Sequence, residues 1–383
     1  MLNRRNFLQA AAATALLTRS AFATVPGEKR FVFIFLRGGL DGLHAMAPFA
    51  DAAYRQLRPN LALRADRVRS LDGYFGLPQA LAPLFPLYQT QELLLVPAAA
   101  TRYRRRSHFD GQNLLENGSA QPFGARDGWL NRAIVALNDG DRRLGLSLGP
   151  TVPLILQGAA QVQTYAVSPL PEVDDDFLFR MGHLYQGDPL FARAFAAAQG
   201  GAEPDVEGMG GAPLARQEFA ISARVAADLL AQDQGPRIGV LEMQGWDTHF
   251  AQPGRLNGLL TALANGIIAL RDGLGPAWQE TVVMVASEFG RMAAENGSRG
   301  TDHGTGGLAL LAGGAVAGGR IAGAWPGLSQ AALFEGRDVA PLNAMEGLFK
   351  GVLRDHLGVT EGVLNDLIFP GDSADPTFDG LVR

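Results

Sequence analysis

Residues 281–307 constrain the fold more than any other stretch, because a buried strand runs directly into acidic and imidazole side chains. Residues 281–286 form a continuous apolar, β-branched run, which is typical of a strand buried on both faces. SEFGR, at residues 287–291, follows where that strand must end, and GTDHG, at residues 300–304, follows a loop of small polar residues. Ligands of open α/β sheets bind at the carboxyl ends of strands. We therefore expect a functional site at this edge.

Apolar runs and amphipathic stretches alternate along the chain. Further buried strands are predicted at residues 30–36, 92–97, 237–243 and 308–311. Helices are predicted at residues 78–88, 107–117, 127–138, 213–232, 255–274 and 346–357. This alternation predicts a three-layer α/β/α fold with a mostly parallel central sheet covered on both faces.

One region interrupts this pattern, and we expect an insertion at about residues 140–212 within a single domain of residues 24–383. Short β runs separated by Gly and Pro at residues 144–166 predict a small antiparallel insertion or a sheet edge. Residues 174–198 favour helix in two pieces, and the Gly-rich residues 200–212 favour a loop.

The N-terminus has the pattern of an export signal. NRRNFL, at residues 3–8, resembles a twin-arginine motif, and a short apolar run and Ala21-Phe22-Ala23 follow it. A span across a bilayer needs about 20 apolar residues, more than this run provides. We expect residues 1–23 to be a signal peptide read by the twin-arginine translocase. The mature protein would then be periplasmic or secreted, without a stable membrane span.

Composition narrows the chemistry. The 383 residues carry a formal net charge of -5, with only one short basic run at residues 102–106, so a nucleic-acid partner is not expected. The chain has no cysteine, which excludes disulfides, thiolate ligands and a cysteine nucleophile. Any metal must therefore be held by carboxylate, imidazole or hydroxyl groups.

Several predicted strand ends carry groups that can bind metal. The candidate ligands, all acids or histidines near strand ends, are Asp41, Asp247, His249, Glu288, Asp302 and His303. Asp247 and His249 lie two residues apart, which puts both side chains on one side of an extended segment. Carboxylates with imidazoles suit a divalent metal such as Zn or Mn, or Mg or Ca where histidines are fewer. The set is large enough for two ions, which could clamp a phosphoryl-type substrate.

Some of these residues have ordinary alternatives. Asp41 lies in a glycine-rich turn and is also a common turn residue. Glu288 could instead be a surface acid paired with Arg291. Among the other histidines, His183 and His356 fall in predicted helices and are interpreted as structural, while His44 remains ambiguous. These interpretations stay open at the level of sequence.

Ser107 and His108 begin a predicted helix directly after the basic run. Ser107 can act as a helix cap, with Asp110 three residues later in the manner of a capping box. A hydroxyl at a helix N-terminus beside arginines also suits a nucleophile at an anion site. We therefore treat Ser107, His108 and Arg37 as candidate catalytic residues, with Arg37 or the arginines at 104–106 neutralising the anion.

The order of motifs resembles two related groups of proteins. The motifs are FLRGGLDG, SHFDGQNLLENG, GWDTH, SEFGR and GTDHG. They resemble the domain-of-unknown-function 1501 family of twin-arginine-exported bacterial proteins and, more distantly, the alkaline phosphatase and sulfatase superfamily. The resemblance implies an alkaline phosphatase-like fold with metal ligands at Asp41, Asp247, His249, Asp302 and His303. Three features depart from the superfamily: its strand-end Asp-His is Ser287-Glu288-Phe289 here, the Asp–His spacing in GWDTH is shorter, and no Ser-x-Pro-x-Arg surrounds Ser107.

Two functions are compatible with these observations. The first is an exported metal-dependent hydrolase of phosphate or sulfate esters, with a small anionic ester as substrate. The second is a non-catalytic exported binding or assembly protein that keeps the fold and works with an envelope protein partner. A redox role has only the export route in its favour. The number of ions and the openness of their site distinguish the first two.

Overall fold

The computed structural model describes residues 28–137, 144–166, 214–371 and 375–383, together with positions 181, 184 and 187. The predicted signal at residues 1–23 and the predicted loop at residues 200–212 lie outside the described residues, as does most of the stretch at 174–198. Among the described residues, no helix is both long and apolar enough to cross a membrane.

Eleven strands are formed by the described residues. In chain order they are β1 (Arg30–Leu36), β2 (Val68–Ser70), β3 (Gly76–Pro78), β4 (Leu93–Ala100), β5 (Gly145–Leu148), β6 (Val162–Tyr165), β7 (Ile238–Met243), β8 (Thr281–Ser287), β9 (Gly307–Ala312), β10 (Arg320–Ile321) and β11 (Asn343–Ala344). Strands β2 and β3 form a separate antiparallel pair. The other nine belong to one sheet of order β10-β4-β9-β8-β1-β7-β5-β6, with β11 paired to β4.

The sheet is mostly parallel, as predicted, with one reversed strand. Strand β1 lies at its centre and pairs in parallel with β7 and β8. Strand β9 runs antiparallel to both of its neighbours, β8 and β4. The start of β9 therefore lies at the edge where β1, β4, β7 and β8 end. This reversal brings the loop before β9 to the carboxyl edge of the parallel strands.

Helices cover the sheet on both faces. The α-helices span Gly42–Ala45, Ala52–Leu57, Phe85–Gln89, His108–Asn117, Trp129–Leu137, Leu214–Ala231, Gln252–Leu274, Met345–Asp355 and Glu361–Val363. Short 3₁₀ segments occupy Ala65–Arg67, Gln79–Leu84, Leu154–Leu156 and Gly275–Glu280, and a π segment occupies Leu364–Ile368.

Alternate residues of β1 define the two interfaces of the three-layer fold. Val32 and Ile34 belong to an apolar cluster that includes the helices Leu214–Ala231 and Gln252–Leu274. Phe33 points to the other face, where its ring meets Phe349 at 5.7 Å and Trp129 at 6.2 Å. Each fully buried side chain of this size contributes about 1.5–3 kcal/mol relative to exposure. The predicted three-layer arrangement is therefore confirmed.

Two local predictions need adjustment. Residues 78–88 do not form one α-helix: a 3₁₀ segment, Gln79–Leu84, leads into the α-helix Phe85–Gln89. Pro83 lies in the first segment and Pro86 at the start of the second, where each removes a backbone donor. Of the two alternatives for residues 144–166, the strands β5 and β6 form a sheet edge, and they pair in parallel rather than antiparallel.

Candidate metal centre

Loops from four strands meet at the carboxyl edge. They are the segments after β1, β4 and β7, and the long connection from β8 to β9. Gly38 lets two of them touch, because its φ is +124° and an added Cβ would lie 2.5 Å from the backbone nitrogen of Asp247. Gly304 has a similar role, since a Cβ there would lie 2.4 Å from the carbonyl carbon of Arg291. The glycines in these motifs allow the close approach that the site needs.

Three imidazoles and one carboxylate converge at this edge, and we call them the histidine cluster: His108, His249, His303 and Asp247. The Nε2 atom of His303 lies 2.9 Å from that of His108 and 3.0 Å from that of His249. Oδ1 of Asp247 lies 3.0 Å from Nε2 of His249, 3.2 Å from that of His303 and 3.4 Å from that of His108. Among the described residues, His108, Asp247 and His303 form a group whose ligand atoms lie close enough to hold one metal ion.

The outer nitrogens fix the tautomer of each ring. Nδ1 of His108 lies 2.6 Å from Glu288 Oε1, and Nδ1 of His249 lies 2.9 Å from Asp302 Oδ1. Nδ1 of His303 lies 2.9 Å from the carbonyl oxygen of Arg106. Carboxylate and carbonyl oxygens only accept, so each Nδ1 donates and each Nε2 presents a lone pair to the centre.

This convergence favours a cation at the centre. Three lone pairs that face one another and a carboxylate repel unless a positive charge lies between them. The group contains three carboxylates and one guanidinium, those of Asp247, Glu288, Asp302 and Arg291. With neutral imidazoles its net charge is −2. A carboxylate that accepts from the outer nitrogen of a histidine is the usual support of a metal-binding imidazole. The residues present therefore fit a divalent metal.

Asp247 is kept ionised by a buried arginine. Nη1 of Arg291, whose side chain is fully buried, donates to Oδ1 of Asp247 at 2.7 Å. Burial alone would raise the pKa of Asp247, but the hydrogen bond and charge of Arg291 outweigh it and lower the pKa to about 2. The Nε of Arg291 also donates to Thr301 at 3.3 Å. Asp247 is therefore a charged acceptor at any ordinary pH.

Glu288 is buried and oriented towards His108. Its Oε1 accepts from the backbone nitrogen of Gly38 at 2.9 Å and from Gln112 at 3.1 Å. Burial would raise the pKa of Glu288, but the hydrogen bonds from His108 and Gln112 outweigh it, and the pKa is lowered. Glu288 is therefore not a surface acid, and the ion pair of Arg291 is with Asp247.

The two central imidazoles respond in opposite ways to this environment. Burial would lower the pKa of His108, but the hydrogen bond and charge of Glu288 outweigh it, and the pKa is raised. Burial also lowers the pKa of His303, and the hydrogen bond to the carbonyl of Arg106 does not compensate, because the charge of Arg291, and of His108 when it is protonated, lowers the pKa further. The pKa shifts of His108 and His303 differ in direction because, of these two rings, only His108 has a carboxylate on its outer nitrogen.

Asp41, a predicted ligand, has other partners. Its carboxylate is fully buried, pairs with Nη1 of Arg58 at 2.7 Å and accepts from Gln252 at 2.6 Å. Burial would raise the pKa of Asp41, but the charge and hydrogen bond of Arg58 outweigh it, and the pKa is lowered. Gln252 in turn accepts from Thr248 and Thr301. Asp41 thus belongs to a buried polar network beneath the cluster.

Arg37 lies in an ion-pair network of its own. Its guanidinium pairs with Glu116 at 3.0 Å, contacts Glu242 and donates to Gln112 at 3.0 Å. Burial would lower the pKa of Arg37, but these carboxylates raise it. Its charge is thus matched by acids of the chain itself.

Ser107 occupies the N-cap position of the helix His108–Asn117, and its side chain makes no capping hydrogen bond. Asp110, the second member of the expected capping box, instead accepts from Tyr103 Oη at 2.9 Å. Ser107 is partly exposed and directly precedes His108. Its position is compatible with a role at the cluster, although the cap itself is not formed.

The remaining histidines are separate from the cluster where they are described. His356 is buried and its Nε2 donates to the carbonyl of Arg30 at 2.9 Å. His44 is buried in the helix Gly42–Ala45. His183 lies outside the described residues. The sequence reasoning did not assign a role to Gln252 or to the carbonyl of Arg106, because neither a buried amide nor a backbone oxygen leaves a pattern in one sequence.

Comparison with known families bears out the predicted resemblance. Residues 193–365 match the family described as "Protein of unknown function (DUF1501)". The matched range contains GWDTH, SEFGR and GTDHG, the motifs that supply Asp247, His249, Glu288 and His303. No curated relative matches the chain.

Solved structures give distant likenesses. A putative sulfatase from Bacteroides thetaiotaomicron VPI-5482 has a TM-score of 0.40 at 10% identity, covering 92% of this chain and 74% of that one. The lipoteichoic acid synthase LtaP from Listeria monocytogenes has a TM-score of 0.37 at 10% identity, covering 93% and 77%. The structure of Ps i-CgsB in complex with k-i-k-neocarrahexaose has a TM-score of 0.38 at 11% identity. The match covers 74% of this chain but only 65% of the length of the Ps i-CgsB chain. Likenesses at this level establish no activity, and the strand order above defines the fold.

Proposed function

We propose that this chain is an exported hydrolase of phosphate or sulfate esters that works with one transition-metal ion held by the histidine cluster. The observation that carries the proposal is the convergence of three Nε2 lone pairs and one carboxylate, each ring fixed through its outer nitrogen. Ligand atoms about 2.0–2.1 Å from a tetrahedral ion lie about 3.3 Å apart. The separations among His108, His303 and Asp247 are 2.9–3.4 Å, close to that value. His249 lies 3.0 Å from both His303 and Asp247, at the edge of this group of three.

The donor set favours Zn or Mn over Mg or Ca. Three imidazole nitrogens and one carboxylate suit transition metals, whereas Mg and Ca prefer oxygen ligands. One ion is favoured over two, because Asp41 is neutralised by Arg58 while Glu288 and Asp302 accept from histidines. When bound, such an ion activates water as a nucleophile and stabilises negative charge on an ester oxygen.

The chain's own residues then have distinct tasks. Glu288, Asp302 and the Arg106 carbonyl keep the three imidazoles in the tautomer that a metal needs. Arg291 keeps Asp247 ionised. Ser107, free of a capping role, lies beside the cluster as a candidate nucleophile, and water is the alternative.

Openness of the cluster favours catalysis over a structural ion. The side chains of Asp247 and His249 are 43% and 40% exposed, and those of His108 and His303 about a quarter. Structural ions are enclosed by four protein ligands, whereas catalytic ions keep a position open to solvent. An exported binding or assembly protein would not need this access.

The test is metal analysis of the exported protein purified without chelator. We expect about one equivalent of Zn or Mn, because the ligand atoms of His108, Asp247 and His303 lie close enough together to hold one ion. The variants Asp247→Asn and His303→Ala should lose it. His356→Gln is the matched control, because His356 is a buried histidine outside the cluster. A parent without metal, or variants that keep it, would overturn the metal site.

Activity is then measured on the metal-loaded parent with aryl phosphate and aryl sulfate esters. Turnover that disappears in Asp247→Asn and persists in His356→Gln supports the hydrolase. A stable metal with no turnover of either ester class would favour the exported binding protein instead.

A further inference from the structure

We propose that a cleft beside the histidine cluster binds the ring of the substrate, so that the substrate is an ester on a ring that carries a second anionic group. This inference rests on the proposed ester hydrolysis and names its substrate class. The cleft has a volume of about 540 Å³, and its lining includes three arginines, the aromatic rings of Tyr103 and Phe123, and one acid, Asp110. The carboxylate of Asp110 accepts a hydrogen bond from Tyr103 at 2.9 Å. We call the cleft the arginine–aromatic cleft.

Arg105 supplies positive charge that the chain does not use. It is exposed, and within the part of the chain that the structure describes it makes no hydrogen bond or ion pair. Its neighbours are engaged: Arg102 pairs with Asp375 at 2.8 Å, and Arg106 pairs with Asp338 at 2.8 Å. Arg104, the third arginine of the lining, donates to the backbone carbonyl of Tyr103 at 2.9 Å. Arg105 is therefore the lining arginine whose charge is left for an anionic group.

Two exposed rings form what we call the rim: Phe123 lines the cleft, and Phe109 packs against Phe123. Phe109 is 74% exposed and Phe123 is 54% exposed, although both are large apolar side chains. Their ring centroids lie 5.3 Å apart. Exposed aromatic pairs of this kind offer flat apolar faces on which another ring can stack. Phe109 directly follows His108, which brings this rim to the cluster.

The wall between the cleft and the cluster is thin. Tyr103 lines the cleft, and its Oη accepts from the backbone nitrogen of Ser107 at 3.3 Å. Phe289 packs against Tyr103, and its ring centroid lies 4.8 Å from that of His108. One layer of side chains thus separates the two sites. In this proposal the ester lies at the cluster and the ring of the ligand extends past Phe109 towards the cleft.

The experiment is calorimetric titration of the metal-loaded protein with phosphonates, which bind as ester analogues without turnover. Methylphosphonate has no ring, and phenylphosphonate adds an aromatic one. We expect phenylphosphonate to bind about fivefold more tightly, the effect of one favourable ring contact. Phe109→Ala and Phe123→Ala should remove this difference and leave methylphosphonate unchanged. Leu367→Ala, a truncation of another exposed apolar residue, is the control.

The second anion is tested with 4-phosphonobenzoate, which adds a carboxylate to phenylphosphonate. We expect a gain of about threefold in the parent, within the range of exposed ion pairs. Arg105→Gln should abolish the gain. Arg55→Gln should keep it, because Arg55 is also exposed but lies in the helix Ala52–Leu57. The phosphonate analogue of glucose 1-phosphate distinguishes a sugar ring from an aromatic one. Tighter binding of this analogue that is lost in Phe109→Ala and Phe123→Ala indicates a sugar ring. Tighter binding of phenylphosphonate alone indicates an aromatic ring.

The outcomes separate the cleft from the metal site. Equal affinity for methyl and ring phosphonates, or a ring preference that survives Phe109→Ala and Phe123→Ala, would overturn the cleft and leave ester hydrolysis standing. Methylphosphonate that binds equally to the parent and to Asp247→Asn would overturn ester binding at the cluster, and the cleft as its subsite would fall with it.

Discussion

Replacing Glu288 by glutamine tests whether the buried carboxylate prepares His108 for a metal. The substitution keeps the shape of the side chain, and the amide oxygen can still accept from the backbone nitrogen of Gly38. It removes the negative charge 2.6 Å from the outer nitrogen of His108. Loss of such a partner lowers metal affinity about 10–100-fold, or about 1.4–2.7 kcal/mol. We therefore expect Glu288→Gln to weaken Zn or Mn binding by that amount.

Asp302 provides an internal comparison. It supports His249 in the same way at 2.9 Å, but its side chain is 50% exposed whereas that of Glu288 is buried. Water screens exposed charges, so Asp302→Asn should weaken binding only a few-fold, about 0.2–1 kcal/mol. The expected order of effect is therefore Glu288→Gln, then Asp302→Asn.

Competition against a fluorescent chelator measures the affinity of the parent and of the two variants for Zn or Mn at fixed pH and ionic strength. Glu361→Gln is the control, because Glu361 pairs with Arg354 and contacts no histidine of the cluster. Thermal unfolding of each metal-free variant checks that the fold is intact. Unchanged affinity in Glu288→Gln, or a larger loss in Asp302→Asn, would refute the reasoning that burial makes the Glu288 carboxylate the stronger support.

Lowering the pH should destabilise the fold, because burial lowers the pKa of His356 to about 4. As the pH falls from about 6.5, the unfolded chain takes up the proton before the folded chain does, so the free energy of unfolding falls by about 3 kcal/mol by pH 4. In urea unfolding, His356→Gln should not show this loss. In the same assay, Phe33→Ala should lower the free energy of unfolding by about 3–5 kcal/mol. The exposed control Phe109→Ala should lower it by less than about 0.5 kcal/mol. Similar losses in the two variants would contradict the packing of Phe33 described above. Gly38→Ala should weaken metal binding as well as stability, since both φ and space forbid a Cβ. Gly73→Ala, with φ +88° but open space, should cost only about 1–2 kcal/mol of strain, and equal metal affinities in the two variants would refute the close-approach argument.

Much of the fold follows from local pattern. Continuous apolar runs specify β1 and β8 almost to the residue, because strands buried on both faces need no polar alternation. The pattern is weaker at the edge, where β5 and β6 have few residues and their pairing direction depends on neighbours distant in sequence. Prolines change a predicted helix at residues 78–88 into a 3₁₀ segment and a short α-helix.

The sequence by itself determined the chemistry that is available: no thiol, and acids and histidines that follow buried strands. Only the tertiary structure decided which of them meet. The reversed strand β9 brings His303 to the carboxyl edge, where its Nε2 faces those of His108 and His249. Asp41, with an equally suggestive motif, pairs with Arg58 instead. The physical reason is that a ligand set depends on distances across the sheet and on competing partners, and neither is encoded in the spacing of residues along one chain.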